Sequence, residues 1–332
     1  MDFVDGHNLK DLGFKPGSDT WGSLIFAEPQ TPAAKHLHQQ LADVYVQLRQ
    51  LEFPHIGALG LPSRDASALT CAPEQINVCH RPLSIDMALQ ELDGLEASNI
   101  FPPSKTVSTA NEFVDGLLRL AQNKLDKEAD QGMDEDEPAS ILYAAHHFRR
   151  FVQDEWVDQS VNQGPFVLVH GDMENVISNL LFDQDYNLVG ILDFVLLIQD
   201  NYNKQVGYLR AAVQEIEEAS RLPPSLSTEW EPLVGWCHGA IAIGLNYPEH
   251  AYLVYWDPIF RKLVPKLRRS TEEQRDQQHE REVVPRVREF IEASNERRAF
   301  LEKKIQEQLQ YFEAEKQHYG YSTSPELIKR VC

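Results

Sequence analysis

The chain has 332 residues, of which 42% are apolar and 25% charged, and its formal net charge is -20. A chain of this length and apolar content can bury a substantial core, as one large domain or two small ones. Its acidity argues against nucleic acid and anionic membranes as partners, because both favour clustered lysine and arginine. The acidity would suit a cationic substrate, although a solvated acidic surface explains it more simply.

The start of the chain lacks the basic region and apolar core of a signal peptide, and no run approaches the roughly 18 apolar residues of a membrane span. We therefore expect a cytoplasmic protein. Cys71, Cys79, Cys237 and Cys332 include no closely spaced pair, which in a cytoplasmic chain predicts reduced thiols. A zinc corner at Cys71, Cys79 and His80 is disfavoured, because structural zinc sites have four ligands in close pairs.

The first predicted helix begins at Thr31-Pro32, where a capping hydroxyl precedes a proline in the first turn. Apolar side chains then recur on one helical face: Leu37, Leu41, Tyr45, Leu48 and Leu51. Residues 53–59 are interpreted as a turn into a hairpin region. Residues 60–80 are expected to be irregular.

Two further helices are predicted before residue 155. The first runs from about Ala110 to Lys127 and carries a partial apolar stripe, and the acidic stretch 126–137 after it is expected to be a solvated loop. The second begins at Pro138 and continues to Val152. It contains the adjacent His146 and His147, which we interpret as structural or surface residues rather than metal ligands.

The most informative segment follows the apolar run 166–169. His170-Gly171-Asp172 ends that run, Asn179 opens a second apolar run, and Asp193 lies within a third, at 191–194. Phosphoryl transfer needs one carboxylate to orient the attacking hydroxyl, and an amide with a second carboxylate to hold magnesium. These carboxylate and amide groups are supplied, in that order, by Asp172, Asn179 and Asp193, and each lies at the edge of a β-type run. Residues 183–187 are predicted to be the hairpin turn between the second and third runs.

Helices are also predicted beyond Asp193, around the apolar residues Leu209, Val213, Ile216, Leu233, Trp236, Ile241 and Ile243. Trp236 and Trp256 offer aromatic faces for a sugar or an amine. Packing in the helical core is the favoured interpretation of both tryptophans.

From Lys266 onward the sequence is highly charged. A long amphipathic helix is predicted from about Arg286 to Phe312. Its apolar stripe is too interrupted for a coiled coil, so we expect the helix to pack on the rest of the protein, with contact to a partner protein as the alternative. Residues 320–332 are expected to be a flexible tail.

The segment from His170 to Asp193 resembles the aminoglycoside phosphotransferase family, especially its fungal relatives, in which His-Gly-Asp, a later asparagine and an Ile-Asp-Trp-like segment form the catalytic core. The resemblance implies an α+β, mainly helical fold: a protein-kinase-like C-terminal lobe with a small β-hairpin region carrying the catalytic loop. It implies that Asp172 is the catalytic base, that Asn179 and Asp193 bind magnesium, and that His170 and Gly171 are structural.

The sequence departs from that pattern at two places. Asp172 and Asn179 are seven residues apart, whereas kinase-type catalytic loops place the asparagine five residues after the aspartate. The opening residues 1–9 resemble the hinge strand of the family, so the chain is expected to begin at the hinge, without the Gly-rich strand pair, strand lysine and helix glutamate of an N-terminal lobe. The resulting domain prediction is a lobe at 1–265, a charged helical extension at 266–319 and a tail at 320–332.

Two functions follow from the resemblance. The first is a small-molecule kinase that transfers the γ-phosphate of ATP, with Mg²⁺, to a hydroxyl of an unidentified metabolite, for which a cationic compound is one candidate. The second is a catalytically inactive kinase-derived lobe that acts as a binding or regulatory protein. No Gly-rich phosphate loop or Gly-x-Ser-x-Gly turn is present in the sequence, so dinucleotide enzymes and ordinary serine hydrolases gain no support.

Overall fold

The computed structural model describes residues 5–8, 11–12, 31–60, 77–127, 136–167, 180–191, 199–222, 225–231, 238–260 and 279–319. Within these residues the protein is mainly helical and contains short antiparallel strand pairs, so the expected α+β class with mainly helical content is confirmed. None of the described helices is long and apolar enough to cross a membrane.

The α-helices are, in chain order, α1 Pro32–Arg49, α2 Ile85–Leu92, α3 Ala110–Lys127, α4 Asp136–Phe151, α5 Gln199–Ala219, α6 Leu226–Glu229, α7 His238–Asn246, α8 Ala251–Val254, α9 Val284–Glu292 and α10 Asn295–Tyr319. The strands are β1 Glu52–Phe53, β2 Ala58–Gly60, β3 Asn77–His80, β4 Phe166–Val167, β5 Leu180–Phe182 and β6 Leu188–Ile191. They pair as β1 with β4, β2 with β3, and β5 with β6. Single π-helical turns follow α4 and α8 and precede α9, at Val152–Trp156, Tyr255–Ile259 and His279–Val283.

The chain forms two compact units. The first comprises Met1–Ser84, Thr106–Thr109 and Gln163–Ala242, and the second comprises Ile85–Lys105, Ala110–Asn162 and Ile243–Cys332. The strands β1 to β6 all belong to the first unit, and the helices α2, α3, α4, α8, α9 and α10 belong to the second.

The first unit is built on the packing of α1 against α5. Ala42 and Val46 of α1 form a buried cluster with Ala212 and Val213 of α5 and with Leu226 of α6. At the end of α1, Arg49 donates to Glu229 at 2.7 Å, which fastens α6 to the same helix. Small residues at the centre of this contact let the two long helices approach closely, as ridge-and-groove packing requires.

A buried carboxylate holds the connection between α5 and α6. The side chain of Glu217 is almost completely buried, and it accepts hydrogen bonds from the backbone N–H of Leu226 at 2.8 Å and of Ser225 at 3.1 Å. The hydroxyl of Ser227 also donates to it. These bonds satisfy N–H groups that the first turn of α6 leaves without an intrahelical partner.

In the second unit a buried amide joins α2 to α3. Gln90 of α2 donates to Asp86 at 2.6 Å and to the carbonyl of Leu120 at 3.0 Å, and it accepts from Asn123 at 2.8 Å. Lys124 of α3 lies 3.6 Å from Asp86, which compensates that buried carboxylate. Buried polar groups of this kind stabilise a fold only when they are satisfied together.

The C-terminal helices α9 and α10 pack against α4. Lys304 of α10 is 2% exposed, and its ammonium group donates to the carbonyl of Asp126 in the last turn of α3 at 2.8 Å and pairs with Glu307 at 2.9 Å. A buried lysine therefore fastens α10 to the carboxyl end of α3, where the helix dipole favours a cation.

The predicted start of α1 and the predicted limits of α3 are confirmed. Thr31 caps α1 by accepting from the N–H of Ala34, and α3 has the predicted limits Ala110 and Lys127. α4 begins at Asp136, two residues before the predicted start. Residues 128–135 of the acidic stretch and the tail 320–332 lie outside the described residues.

Two predictions of local structure were wrong. Residues 77–80, expected to be irregular, form strand β3, because β2 offers a pairing partner that local composition does not reveal. The single helix predicted over 286–312 is two helices, interrupted at Ala293 and Ser294. The break occurs because the Ser294 hydroxyl accepts from the N–H of Arg297 at 3.3 Å and so starts a new helix.

Gly116 and Gly207 provide a matched pair of helical glycines. A methyl group at Gly116 in α3 would lie 2.1 Å from Cζ of Phe101, whereas one at Gly207 in α5 would meet no described atom within 4 Å. Gly207→Ala should therefore raise the free energy of unfolding by about 0.5–1 kcal/mol, the usual helical gain. Gly116→Ala should lower it by about 1–3 kcal/mol through overpacking. Urea unfolding measures both, and a gain in both variants would contradict the packing of Phe101 on α3.

Candidate functional site

The five residues that the sequence assigns to catalysis lie outside the described part of the chain. His170, Gly171, Asp172 and Asn179 fall within 168–179, and Asp193 falls within 192–198. The structure does describe the strands that lead into and out of these two stretches. β4 precedes the first stretch, and the hairpin of β5 and β6 separates it from the second.

The hairpin has a defined register. Leu180 pairs with Ile191, Leu181 with Gly190, and Phe182 with Leu188, with an irregularity between the last two pairs. The Leu180–Ile191 pair is therefore the open end of the hairpin. Leu180 directly follows the stretch that carries Asn179, and Ile191 directly precedes the stretch that carries Asp193, the two predicted magnesium ligands.

The opening segment of the chain lies across this hairpin. His7 and Phe182 exchange two backbone hydrogen bonds, both 2.8 Å long, in an isolated antiparallel bridge. A methyl group at Gly6 would lie 2.8 Å from Cβ of Leu181 and 2.9 Å from a methyl of Val189. Glycine is needed at this position because the two segments approach so closely.

The predicted hairpin turn at 183–187 is confirmed, and Asp183 organises it. Its carboxylate accepts from the backbone N–H of Asp185 at 2.9 Å and of Asn187 at 2.8 Å, and from the Asn187 side-chain amide at 2.9 Å. These bonds from Asn187 lower the pKa of Asp183, because they favour its ionised form. Tyr186 has a φ of 63°, a conformation that the surrounding hydrogen bonds must hold in a residue other than glycine.

Helix α1 holds the tip of the hairpin through a single glutamine. Gln40 donates from Nε2 to the carbonyl of Tyr186 at 2.8 Å, and its Oε1 accepts from the N–H of Leu188 at 2.5 Å. One turn earlier, Nε2 of His36 is 3.3 Å from Oδ1 of Asn187. The side chain of Gln40 thus supplies the hairpin backbone with both a donor and an acceptor, as a neighbouring strand would.

The strand before the predicted catalytic motif is also paired. Phe166 of β4 lies opposite Phe53, and Val167 lies opposite Glu52. The ladder is only two residues long on each side. β1 directly follows α1, so the ladder that leads toward residue 168 is anchored at the end of α1. The tip of the β5–β6 hairpin is bound by the side chain of Gln40, which lies on the same helix.

The structure describes some of the other candidate ligands from the sequence. No group of three or more His, Cys, Asp or Glu side chains suited to a metal ion occurs among the described residues. Cys79 is exposed and forms no disulfide within the described residues, and Cys71 lies outside them. His146 and His147 pack among aromatic rings, as the structural interpretation predicted.

The favoured interpretation of Trp256 is confirmed. Its ring stacks on Tyr143 with centroids 5.4 Å apart and meets Phe260 edge-on at 4.9 Å. Trp256 is therefore part of the aromatic packing of the second unit. Trp236 lies outside the described residues.

Of the two residues that do most to position the hairpin, sequence reasoning placed Asp183 in the predicted turn and missed Gln40. Gln40 lies on the polar face of α1, and no local sequence feature indicates its contact with residues 186–188. Asp183 did carry a signal, because an aspartate at the start of a turn commonly accepts from backbone N–H groups two to four residues later.

No family model matches this chain, and neither a curated protein nor a solved structure matches it. The likeness to the phosphotransferases thus rests on the residues of the motif.

Removing the Gln40 amide should loosen the hairpin. Gln40→Ala leaves the carbonyl of Tyr186 and the N–H of Leu188 without their helix partner, and we expect a loss of about 1–3 kcal/mol in the free energy of unfolding. Exchange of the Leu188 amide hydrogen should accelerate as well. Both are measured by urea unfolding and hydrogen exchange.

The matched control is Gln39→Ala, since Gln39 makes only an exposed bond of 3.2 Å to Glu215 among the described contacts. This variant should stay within about 0.5 kcal/mol of the wild type. Equal effects of the two substitutions would contradict a specific role of Gln40.

Proposed function

We propose that this protein is a small-molecule kinase of the aminoglycoside phosphotransferase type, which transfers the γ-phosphate of ATP to a hydroxyl group. Residues 1–265 would form its protein-kinase-like C-terminal lobe. In this proposal Asp172 orients the acceptor hydroxyl, Asn179 and Asp193 hold Mg²⁺, and His170 and Gly171 shape the loop.

The observation that carries the proposal is the register of the hairpin. Leu180 and Ile191 are opposite each other, and covalent geometry keeps the Cα of Asn179 within about 3.8 Å of the first and that of Asp193 within about 7 Å of the second. An amide and a carboxylate are thus tethered to the same end of one hairpin. This is the arrangement that a shared metal ion requires.

The donor types also fit the proposed metal. A side-chain amide oxygen and a carboxylate oxygen are hard ligands of the kind Mg²⁺ prefers. Mg²⁺ bound with the nucleotide would neutralise charge on the phosphates. The protein's own contribution would be to hold Asp172 ionised beside the acceptor hydroxyl and to keep the two ligands in register. The net charge of -20 would suit an acceptor that carries a cationic group.

One observation favours a second candidate function. The step of seven residues from Asp172 to Asn179 is two longer than in kinase-type loops. If the enlarged loop removes Asn179 from the metal, the protein would be a kinase-derived lobe without catalysis that serves as a binding or regulatory protein.

Nucleotide binding and turnover test the proposal directly. Calorimetric titration of the full chain with MgATP should show binding, and phosphoryl transfer should appear with a panel of hydroxyl-bearing amines and sugars. Asp172→Ala should abolish transfer while MgATP binding remains, and Asp193→Asn should reduce transfer at least about 100-fold and weaken the response to magnesium.

Asp185→Asn is the control, because Asp185 is an exposed carboxylate in the neighbouring turn. It should leave binding and transfer unchanged. Binding of MgATP without transfer to any acceptor would support the second candidate. Wild-type transfer in both Asp172→Ala and Asp193→Asn would remove the proposed mechanism.

A further inference from the structure

Helix α9 is held on α4 by two adjacent histidines. The rings of His146 and His147 on α4 lie 5.0 Å and 5.7 Å from the ring of Phe290 on α9, measured between centroids. Tyr143, one turn earlier, meets the same phenyl ring edge-on at 5.2 Å. His147 also contacts Tyr143, at 4.3 Å. Phe290 is thus the aromatic residue through which α9 contacts this face of α4.

The charges around the two histidines are predominantly positive. The guanidinium of Arg297 on α10 lies 3.8 Å from the centroid of Phe290, on the ring that both histidines contact. Arg149 and Arg150 follow the histidines on α4, and Arg286 on α9 stands 5.9 Å from the ring of Phe260. Three carboxylates lie near these arginines, at 3.8–4.0 Å: Asp154 by Arg150, Asp115 by Arg149 and Glu282 by Arg286. Glu155 after α4, Glu289 and Glu292 of α9 and Glu296 of α10 are exposed. The ring of Tyr255 stacks on His147 at 5.8 Å.

This environment disfavours protonated imidazole. Burial and the neighbouring cations lower the pKa of His147 to about 4 and lower that of His146 as well. The packed state therefore binds fewer protons than a state in which the histidines are in water, where the pKa is about 6.5. Its stability is complete above about pH 6.5 and falls as the pH decreases toward 4.

The apolar side of α9 faces an incompletely filled space. A cavity of about 380 Å³ lies between α4, α9 and α10. Its apolar lining includes Val287 and Ile291 of α9 and Leu301 and Ile305 of α10. The packing of α9 is therefore incomplete on this side, and its removal would open the cavity into an apolar groove.

α9 and α10 are distinct helices that contact each other through Arg297, whose guanidinium donates to the carbonyl of Phe290 at 2.9 Å. The two helices are separated at Ala293 and Ser294, where the helical hydrogen bonding is interrupted. α10 is fastened to α3 by the bond from Lys304 to the carbonyl of Asp126, which does not involve the histidines. A displacement of α9 would therefore break the contact of Arg297 with Phe290 and leave the bond from Lys304 to α3 in place.

We propose that α9 is an acid-released latch, which neutral His146 and His147 hold on α4 and which their protonation frees, exposing the apolar floor of the adjacent cavity.

Hydrogen exchange on the full chain at pH 7.5 and pH 5.5 tests this directly, after correction for the intrinsic pH dependence of exchange. A histidine whose pKa falls from about 6.5 to about 4 favours release up to about tenfold at pH 5.5. Protection of the α9 amides should fall about five- to tenfold, while that of α1 and α5 changes less than twofold. Binding of the fluorescent probe 8-anilinonaphthalene-1-sulfonate should rise at pH 5.5.

The double variant His146→Phe with His147→Phe keeps aromatic packing but cannot be protonated, so α9 should lose less than twofold protection at pH 5.5. His147→Phe alone should give an intermediate loss and replaces the double variant if that fails to fold. The exposed His55 provides the control, since His55→Phe should retain the full wild-type response. Equal protection of wild-type α9 at both pH values, or an equal loss in α1 and α5, would overturn the proposal.

Discussion

The contact between α1 and α5 is the interaction on which the described part of the first unit depends. Its strands are two to four residues long and pair only two at a time, and isolated two-stranded hairpins are marginally stable in water. The ladders must therefore be held by helices. α1 does so twice, because its apolar face packs on α5 and its polar face carries Gln40, which binds the tip of the β5–β6 hairpin.

This dependence matters for the proposed chemistry. Phosphoryl transfer in kinases relies on positioning and charge neutralisation more than on covalent steps, so the hairpin that carries the proposed ligands at its open end needs a fixed register. Asp183, Gln40 and the bridge from His7 fix the turn end and the middle of the hairpin. The hydrogen bonds that fix the hairpin therefore lie close along the chain to the residues that the proposed reaction needs to align.

The second unit combines two kinds of polar contact at the same group of helices. The side chains of Gln90 and Lys304 are buried and hydrogen-bonded, and they join α2, α3 and α10. The histidine pair under α9 is different, because burial and neighbouring arginines lower the pKa of both imidazoles. The proposed latch would make the contact of α9 with α4 sensitive to acid, and α9 also lines an incompletely filled apolar space.

Local sequence signals were enough where one helix end or one turn decides the structure. Thr31 and Pro32 determined the start of α1, the apolar stripe determined α3, and Asp183 to Asn187 determined the hairpin turn. The sequence also supplied the candidate catalytic set Asp172, Asn179 and Asp193. These features depend on neighbours within a few residues, so a pattern in the sequence contains them.

The tertiary structure decided what depends on residues far apart in the chain. The pairing of β3 with β2, the contact of Gln40 with residue 188 and the meeting of His147 with Phe290 join segments about 20 to 150 residues apart. No local sequence feature at these positions indicates which residue each one contacts. Each partner is chosen by the packing of whole helices, which is why the sequence indicated most of the helices and the hairpin turn, whereas the tertiary structure determined strand β3 and the long-range contacts.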